Sequence, residues 1–192
     1  MSDMPGAEFL EAYIGRVQKA IALLDAGELE RFASRIEGTV SSDGQVFYIG
    51  NGGSASTATH YVNDLVMAFA RTGRIVRAVS LTDNPSLMTG ISNDYSFEEV
   101  FAFQLRALAR PGDMVVAISA SGNSPNLLRA FEYASGAGIT TAAVVGFDGG
   151  RLKELADLTV YAPTDLGDYG PAEDVHLLIN HAVAGLIKAR GE

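Results

Sequence analysis

Apolar residues recur through residues 6–43 at the three- and four-residue spacing of an amphipathic helix. The positions are Phe9, Leu10, Tyr13, Ile14, Val17, Ile21, Leu23, Leu24, Leu29, Phe32, Ile36 and Val40. Because glycine interrupts helices, the pattern predicts two helices with a break near Gly27. The chain therefore has a helical segment ahead of its first strand.

Short apolar runs of strand type follow, each bounded by glycine, proline or a polar turn. They cover residues 45–49, 75–80, 114–119, 141–146 and 158–161. Helical patterns separate the runs, and a last helix is expected over about residues 171–189, with Pro171 near its first turn. Strands that alternate with helices favour a parallel sheet covered on both faces. We predict an α/β fold with three layers, α/β/α, a five-stranded parallel sheet and an N-terminal helical extension.

The composition narrows the class of partner. The 192 residues, 47% hydrophobic and 19% charged, are typical of one soluble globular domain. A formal net charge of −9 argues against nucleic acid or an anionic membrane as a partner. Cysteine is absent, which excludes disulfides, thiolate ligands and cysteine nucleophiles. The first residues lack signal-peptide features and no apolar stretch approaches about 20 residues, so we expect a cytoplasmic protein.

The loop after the third strand run has the chemistry of a phosphate cradle. It reads Ser119, Ala, Ser121, Gly122, Asn123 and Ser124 and precedes an amphipathic helix. Serine hydroxyls can donate to phosphate oxygens, Gly122 lets the backbone come close, and the helix supplies free N–H groups at the positive end of its dipole. No lysine or arginine lies in the loop, which favours a small phosphorylated metabolite held by neutral hydrogen bonds.

A second loop of this kind follows the first strand run, with the residues Gly50, Asn51, Gly52, Gly53 and Ser54. Either loop alone also fits an ordinary turn or helix cap. Two of them at strand ends favour a phosphosugar or nucleotide site, although neither matches the dinucleotide fingerprint or the P-loop. Thr82 and Asp94 stand in polar loops that could contact sugar hydroxyls and that also fit capping and turn chemistry.

Histidines and carboxylates recur on two of the predicted helices. His60 and Asp64 are four residues apart and face the same way, and Glu173 and His181 are about 80° apart around the last helix. Together they indicate a divalent metal site in which imidazoles favour zinc, although a His-x3-Asp pair is also common without a metal. His176 lies roughly 140° from His181 and is expected to be a core, interface or supporting residue.

These motifs resemble the sugar isomerase (SIS) family over nearly the whole chain, and within it the phosphoheptose isomerases. The resemblance is carried by Gly-Asn-Gly-Gly-Ser-Ala at 50–55, His60, Ser-Asn-Asp-Tyr at 92–95, Ser-Ala-Ser-Gly-Asn-Ser-Pro-Asn at 119–126 and Glu-x2-His-x4-His at 173–181. It implies an SIS phosphosugar-binding domain over residues 44–192, with residues 1–43 as helices of the same domain and of a subunit interface. It also implies a homotetramer with one zinc ion per subunit.

The resemblance also implies a reaction, the isomerisation of sedoheptulose 7-phosphate to D-glycero-D-manno-heptose 7-phosphate for surface polysaccharide, and a role for each matching residue. Phosphate binding falls to Ser119, Ser121 and Ser124. Further substrate contacts fall to Asn51, Gly53, Ser54, Thr82, Asp94 and Glu173. The zinc ligands are His60, Asp64, Glu173 and His181, and among them Asp64 is the base and His181 the acid.

Two positions depart from the family pattern and leave an alternative open. The family usually has glutamate at the position of Asp64 and glutamine at the position of Glu173. Asp64 is one methylene shorter, and a displacement of about 1 Å can slow proton transfer roughly a hundredfold. Glu173 adds a negative charge that would strengthen a zinc site. The alternative is a non-catalytic SIS module that binds a phosphosugar, or another protein such as a replication initiator.

Overall fold

The computed structural model describes residues 5–191 and begins with two helices. Helix α1 spans Gly6–Ala22 and helix α2 spans Ala26–Ser41. The break therefore lies slightly before Gly27, the position predicted for it. Asp25 explains the difference, because its side chain caps α2 by accepting a hydrogen bond of 2.6 Å from the Gly27 N–H. Gly27 thus belongs to the first turn of the second helix.

The sheet has five parallel strands in the order β2-β1-β3-β4-β5. Their bounds are Gln45–Gly50 for β1, Arg77–Ser80 for β2, Met114–Ser119 for β3, Thr140–Val145 for β4 and Leu158–Tyr161 for β5. The second strand begins two residues later than predicted, and Ile75 is 91% exposed. The parallel five-stranded sheet predicted from the sequence is confirmed.

Helices cover both faces of the sheet. They are α3 Gly53–Arg71, α4 Pro85–Asp94, α5 Val100–Leu108, α6 Pro125–Gly136, α7 Gly150–Leu155 and α8 Tyr169–Gly191, with a 3₁₀ turn at Phe97–Glu99. The core on one face comes from α1, α2, α3 and α8, and the core on the other comes from α4 to α7. Side chains of the strands alternate between these two cores. The result is the predicted three-layer α/β/α fold.

The first helix is fastened to the start of α8 by polar contacts. The Tyr13 hydroxyl donates to an Asp174 carboxylate oxygen at 2.6 Å, and this bond, with desolvation, raises the pKa of Tyr13 to about 12. The Arg16 Nε lies 2.7 Å from a carboxylate oxygen of Asp168. Helices α1 and α2 both pack on α8. Within residues 5–191, no helix combines the length and the apolar character that crossing a membrane requires.

The strand order places two loops side by side. β1 pairs with β3, and the register joins Gly50 to Ile118 at the carboxyl ends of the two strands. In the sheet, β2 lies on the outer side of β1, whereas β4 and β5 lie on the opposite side, beyond β3. The direction in which strands are added therefore reverses between β1 and β3. Ligands of open parallel sheets bind at such a switch point. The loops that follow β1 and β3 meet there.

Candidate functional site

An open cavity of about 130 Å³ lies at this switch point. Its lining is mostly polar and comes from both loops and from the start of α8. The lining residues are Asn51, Ser54, Ile118, Ser119, Ala120, Ser121, Ser124, Tyr169 and Glu173. The fold thus brings the two serine loops into one cavity with Glu173. Tyr169, which the sequence reasoning did not single out, joins them because it is the first residue of α8.

The loop after β3 is preshaped by its own hydrogen bonds. The buried Ser119 Oγ accepts from the Gly122 N–H at 3.0 Å, and the Ser121 Oγ accepts from the Asn123 N–H at 3.3 Å. Both hydroxyl protons remain available to a ligand, because a hydroxyl can accept and donate at once. The Ser124 side chain makes no capping hydrogen bond with α6. The three serines therefore keep donors that face a common space.

Gly122 cannot be exchanged for a larger residue without strain. Its φ of 63° lies in the left-handed region, and an added Cβ would overlap the carbonyl group of Gly149. Asn123 stabilises the same loop through two hydrogen bonds. Its Nδ2 donates to the Ser121 carbonyl at 2.9 Å, and its Oδ1 accepts from the Arg151 N–H at 3.0 Å. Neighbouring backbone fixes the cradle, and Asn123 is a supporting residue that the sequence reasoning missed.

Asn51 and Asn126 connect the two loops through a reciprocal amide pair. The Nδ2 of each donates to the Oδ1 of the other at 2.9 Å, and the Asn126 side chain is buried. This pairing fixes which way the Asn51 amide points while leaving one of its N–H groups free for a ligand. Asn126 was not predicted from the sequence. The Ser-Pro-Asn run that contains it, at the start of α6, was the available signal.

The electrostatics of the cavity come from helix ends instead of cations. Helices α3, α6 and α8 begin at Gly53, Pro125 and Tyr169, so three positive dipole ends converge there. Among the residues that line the cavity, Glu173 is the only charged one. Its carboxylate packs against Gly53, where any Cβ would overlap it. The cavity thus favours an anion but carries one opposing negative charge.

A second group of polar side chains lies further along α3 and α8, two of the helices that begin at the cavity. His60 and Asp64 of α3 and His181 of α8 each place one ligand atom within 4.8 Å of the others. The Asp64 Oδ2 lies 3.2 Å from the His60 Nε2 and 3.5 Å from the His181 Nε2, and the two Nε2 atoms are 3.3 Å apart. We call these three residues the histidine-aspartate triad.

The triad has the chemistry and spacing of a zinc site. Nitrogen and oxygen ligands at about 2.0 to 2.1 Å from a tetrahedral Zn²⁺ lie about 3.3 to 3.4 Å from one another, close to the three separations observed here. The two Nε2 atoms, 3.3 Å apart, are within hydrogen-bond distance when one of them carries a proton, and both lone pairs can face a cation when neither does. His60, Asp64 and His181 therefore fit one zinc ion and leave a fourth position for water or substrate.

Asn180 is the site residue most clearly missed by the sequence reasoning. Its side chain is 3% exposed, and its Nδ2 donates to the Asp64 Oδ2 at 2.6 Å. The exposed Asn63 donates to the other oxygen, Oδ1, at 2.9 Å. Asn180 stands next to His181, but an asparagine beside a histidine is no signal by itself. Only the packing of α8 on α3 reveals the contact.

The structure does not bring Glu173 to the triad. Gly53 meets Glu173 and Asp64 meets Asn180, so α3 and α8 run in the same direction. At a helical rise of 1.5 Å, Ser54 and His60 are about 9 Å apart along α3, and Glu173 and His181 are about 12 Å apart along α8. The cavity and the triad thus lie one above the other, separated by roughly the length of an extended sugar phosphate.

The remaining candidates lie outside both groups. Thr82 shares a 2.6 Å hydrogen bond with the Ser80 hydroxyl, and Asp94, the last residue of α4, accepts from Asn93 at 2.9 Å. Neither lines the cavity. His176 is fully buried between α8 and the sheet, and burial lowers its pKa to about 4, so it stays neutral at pH 7. It belongs to the core, one of the three places expected for it.

Tyr61 joins the two helices that carry the triad. Its buried hydroxyl donates to the His176 carbonyl oxygen of α8 at 2.8 Å. Burial raises the pKa of Tyr61 well above its usual value, so the donor is protonated at any physiological pH. The spacing between His60 and His181 is thereby set by a buried hydrogen bond as well as by apolar packing.

Comparison with known proteins agrees with this geometry. Residues 9–146 match the SIS domain, the class of protein that the fold defines. A phosphoheptose isomerase of Paramagnetospirillum magneticum is 34% identical over 189 residues, 97% of each chain. A probable phosphoheptose isomerase of Thermoplasma acidophilum is 37% identical over 91% of this chain and 95% of its own. The chain belongs to the phosphoheptose isomerase family of SIS-domain proteins.

Solved structures support the same assignment. The phosphoheptose isomerase of Neisseria gonorrhoeae superposes with a TM-score of 0.84 at 32% identity, over 95% of this chain and 96% of that one. The family resemblance and the three-layer fold predicted from the sequence are therefore confirmed.

Proposed function

We propose that this protein is an aldose–ketose isomerase that converts sedoheptulose 7-phosphate to D-glycero-D-manno-heptose 7-phosphate. The observation that carries the proposal is the pairing of an anion cavity, whose donors are uncharged, with the histidine-aspartate triad on two parallel helices, in a chain of the phosphoheptose isomerase family. The cavity holds the phosphate end of an open-chain sugar. The triad then lies beside the carbonyl end of the same sugar.

The serines would bind the phosphate and Asn51 the sugar chain. Ser119, Ser121 and Ser124 keep free hydroxyl donors, and the first turns of α3 and α6 add backbone N–H groups. Asn51 and Ser54 line the same cavity next to them. Thr82 and Asp94 stay in the proposal as substrate contacts on the strength of the family resemblance, outside the cavity itself.

Isomerisation moves one proton between neighbouring carbons. Asp64 takes the proton from the carbon beside the carbonyl, and His181 gives a proton to the carbonyl oxygen, which forms an enediol. While it is on Asp64 this proton exchanges with water. Delivery of a proton from Asp64 to the former carbonyl carbon, with loss of a hydroxyl proton to His181, leaves the carbonyl shifted by one carbon. The Asp64 Oδ2 and the His181 Nε2 lie 3.5 Å apart, so the two residues flank the same position of a substrate.

The triad would also hold one zinc ion per subunit. His60, Asp64 and His181 provide two imidazoles and a carboxylate, and we assign Glu173 to the substrate cavity because its carboxylate lies against Gly53. A zinc ion there supplies Lewis-acid polarisation of the carbonyl. The two carboxylate oxygens of Asp64 then have different roles. Oδ2 faces the histidines and would bind the ion, and Oδ1, which accepts from the exposed Asn63, would serve as the base. With its Nε2 lone pair on the ion, His181 would carry the transferred proton on its other ring nitrogen, Nδ1.

We also propose a homotetramer that acts in the cytoplasm, with the N-terminal helices as part of the same domain and of the subunit interface. The support is an apolar face of α1 that no other part of residues 5–191 covers. Phe9, Leu10 and Ile14 are 54%, 57% and 45% exposed. Exposed apolar stripes of this kind mark protein interfaces.

Turnover of sedoheptulose 7-phosphate tests the proposal. The purified protein is stripped with a chelator, reloaded with Zn²⁺ and compared with the variants Asp64→Ala and His181→Ala. We expect activity in the reloaded wild type and its loss in the stripped protein and both variants. Saturable binding of the sugar phosphate without turnover would favour the non-catalytic module. Equal activity in all samples would contradict the mechanism.

A further inference from the structure

Both oxygens of the Asp64 carboxylate are held by asparagine amides, but in different surroundings. Asn180 donates to Oδ2 at 2.6 Å, and Asn63 donates to Oδ1 at 2.9 Å. Oδ2 is the oxygen that lies 3.2 Å and 3.5 Å from the histidine Nε2 atoms. Asn180 therefore contacts the oxygen that faces the two histidines, and Asn63 contacts the other oxygen.

Burial makes Asn180 the more rigid of the two donors. Its side chain is 3% exposed in the seam between α3 and α8, whereas Asn63 is exposed on α3 beside Asp64 itself. A buried amide with a charge-assisted hydrogen bond of 2.6 Å has little freedom to rotate. Because Asn180 precedes His181 directly, the same turn of α8 fixes the imidazole and the orientation of the carboxylate.

The neutrality of Asn180 is as important as its position. An arginine or lysine in its place would compensate the Asp64 charge and compete with a cation. The amide leaves that charge intact. Oδ2 has two lone pairs, so one accepts from Asn180 while the other points between the histidines.

We propose that Asn180 is a positioning residue that holds the Asp64 Oδ2 in the triad and thereby sets its affinity for a divalent metal. This inference rests on the proposed function only in its choice of zinc. Groups that orient metal ligands through hydrogen bonds typically contribute 10- to 100-fold to metal affinity. A short aspartate, which reaches less far than glutamate, depends on such a donor to keep its oxygen in place.

The test is the dissociation constant for Zn²⁺, measured by competition with a chromogenic chelator without substrate. Asn180→Leu keeps a similar volume and removes the donor, and we expect about 10- to 100-fold weaker binding. Asn63→Ala is the matched control, because it removes the same kind of donor from the other oxygen of the same carboxylate. We expect a change of less than about threefold there.

Further measurements distinguish an effect on Zn²⁺ affinity from an effect on folding and from a failure of the proposed function. Circular dichroism and thermal melting of the stripped proteins show which variants fold, and Asn180→Ala replaces Asn180→Leu if the latter does not. Zn²⁺ affinity of wild-type strength in a folded Asn180 variant, an equal loss in Asn63→Ala, or no Zn²⁺ binding by the wild type overturns the inference. If Zn²⁺ affinity follows Asn180 but the wild type does not turn over sedoheptulose 7-phosphate, only the proposed function fails.

Discussion

The cavity and the histidine-aspartate triad share two helices but are built on different principles. The donors of the cavity are backbone N–H groups, hydroxyls and amides at the ends of β1 and β3. Hydrogen bonds between nearby residues of the same loop shape it. The triad is made of ionisable side chains from the middle of α3 and α8, placed by the packing of one helix on the other. Local geometry binds the ligand, and helix packing places the reactive groups.

Because the two regions are built differently, substrate binding and turnover can be changed separately. Changes in the cavity should act on substrate affinity, because its neutral donors meet a part of the substrate that does not react. Changes in the triad should act on the rate and on metal affinity. The separation of about 9 to 12 Å along the helices keeps each change local.

Asp64→Ala should have the largest effect. General-base catalysis contributes about 10²- to 10⁴-fold to a rate, so kcat should fall by that factor. The affinity for inorganic phosphate should stay unchanged, because Ser54 of the cavity lies about 15 Å from Asp64 along α3. Steady-state kinetics and phosphate titration measure both. Asp165→Ala, on a loop and 75% exposed, is the control and should match the wild type. A kcat within threefold of wild type would remove Asp64 from the mechanism.

Asn126→Ala should weaken the junction between the two loops. It removes both hydrogen bonds of the amide pair, so the free energy of unfolding should fall by about 1 to 3 kcal/mol. KM should rise as well, because Asn51 loses its fixed orientation. Urea unfolding and kinetics measure these changes. Asn93→Ala, an exposed amide on α4, should cost less than about 0.5 kcal/mol. Equal stability of the two variants would show that the pair does not hold the loops.

Ser124→Ala should affect binding without affecting the fold. A hydrogen bond to a charged group contributes about 1.5 kcal/mol or more, so KM should rise about tenfold while kcat stays near the wild-type value. Thermal stability should not change, because the Ser124 hydroxyl does not cap α6. The exposed Ser86→Ala on α4 serves as the control. A fall in kcat at unchanged KM would place Ser124 in the chemistry and break the division of labour.

Glu173→Gln should give the smallest effect, and in the opposite direction. The substitution removes a negative charge from the anion cavity, where repulsion of a phosphate amounts to about 1 kcal/mol in water at contact distance. KM should fall about two- to fivefold at low salt, and the gain should shrink as ionic strength rises. Zn²⁺ affinity should stay constant. A loss of Zn²⁺ affinity instead would return Glu173 to the metal site implied by the family resemblance.

The fold and the cavity could be predicted from the sequence because their signals are local. Apolar runs such as 114–119 and the serine loop that follows are contiguous, and the parallel order then brings strand-end loops together. The triad residues His60, Asp64 and His181 were also predicted as one group. Their chemistry is rare in this chain, which has three histidines.

Residues that act across long separations could not be predicted in this way. Asn180 and Asp64 are 116 positions apart, and Asn51 and Asn126 are 75 apart, so their pairing depends on helix and loop packing. Glu173 shows a different limit. Its angle around α8 agrees with a place beside His181, but eight residues of helix separate the two by about 12 Å along the axis. The helical angle alone therefore predicted that Glu173 and His181 belong to one group, whereas the rise along the helix axis separates them.

We expect the triad to move a proton on a substrate that the cavity holds. The most direct test is ¹H NMR of sedoheptulose 7-phosphate incubated in D₂O with the zinc-loaded protein. We predict that heptose 7-phosphate forms with deuterium at the carbon beside the carbonyl, that Ser124→Ala does the same at saturating substrate, and that Asp64→Ala does neither. Bound substrate without product or deuterium in the wild type, or equal exchange in Asp64→Ala, would contradict the claim.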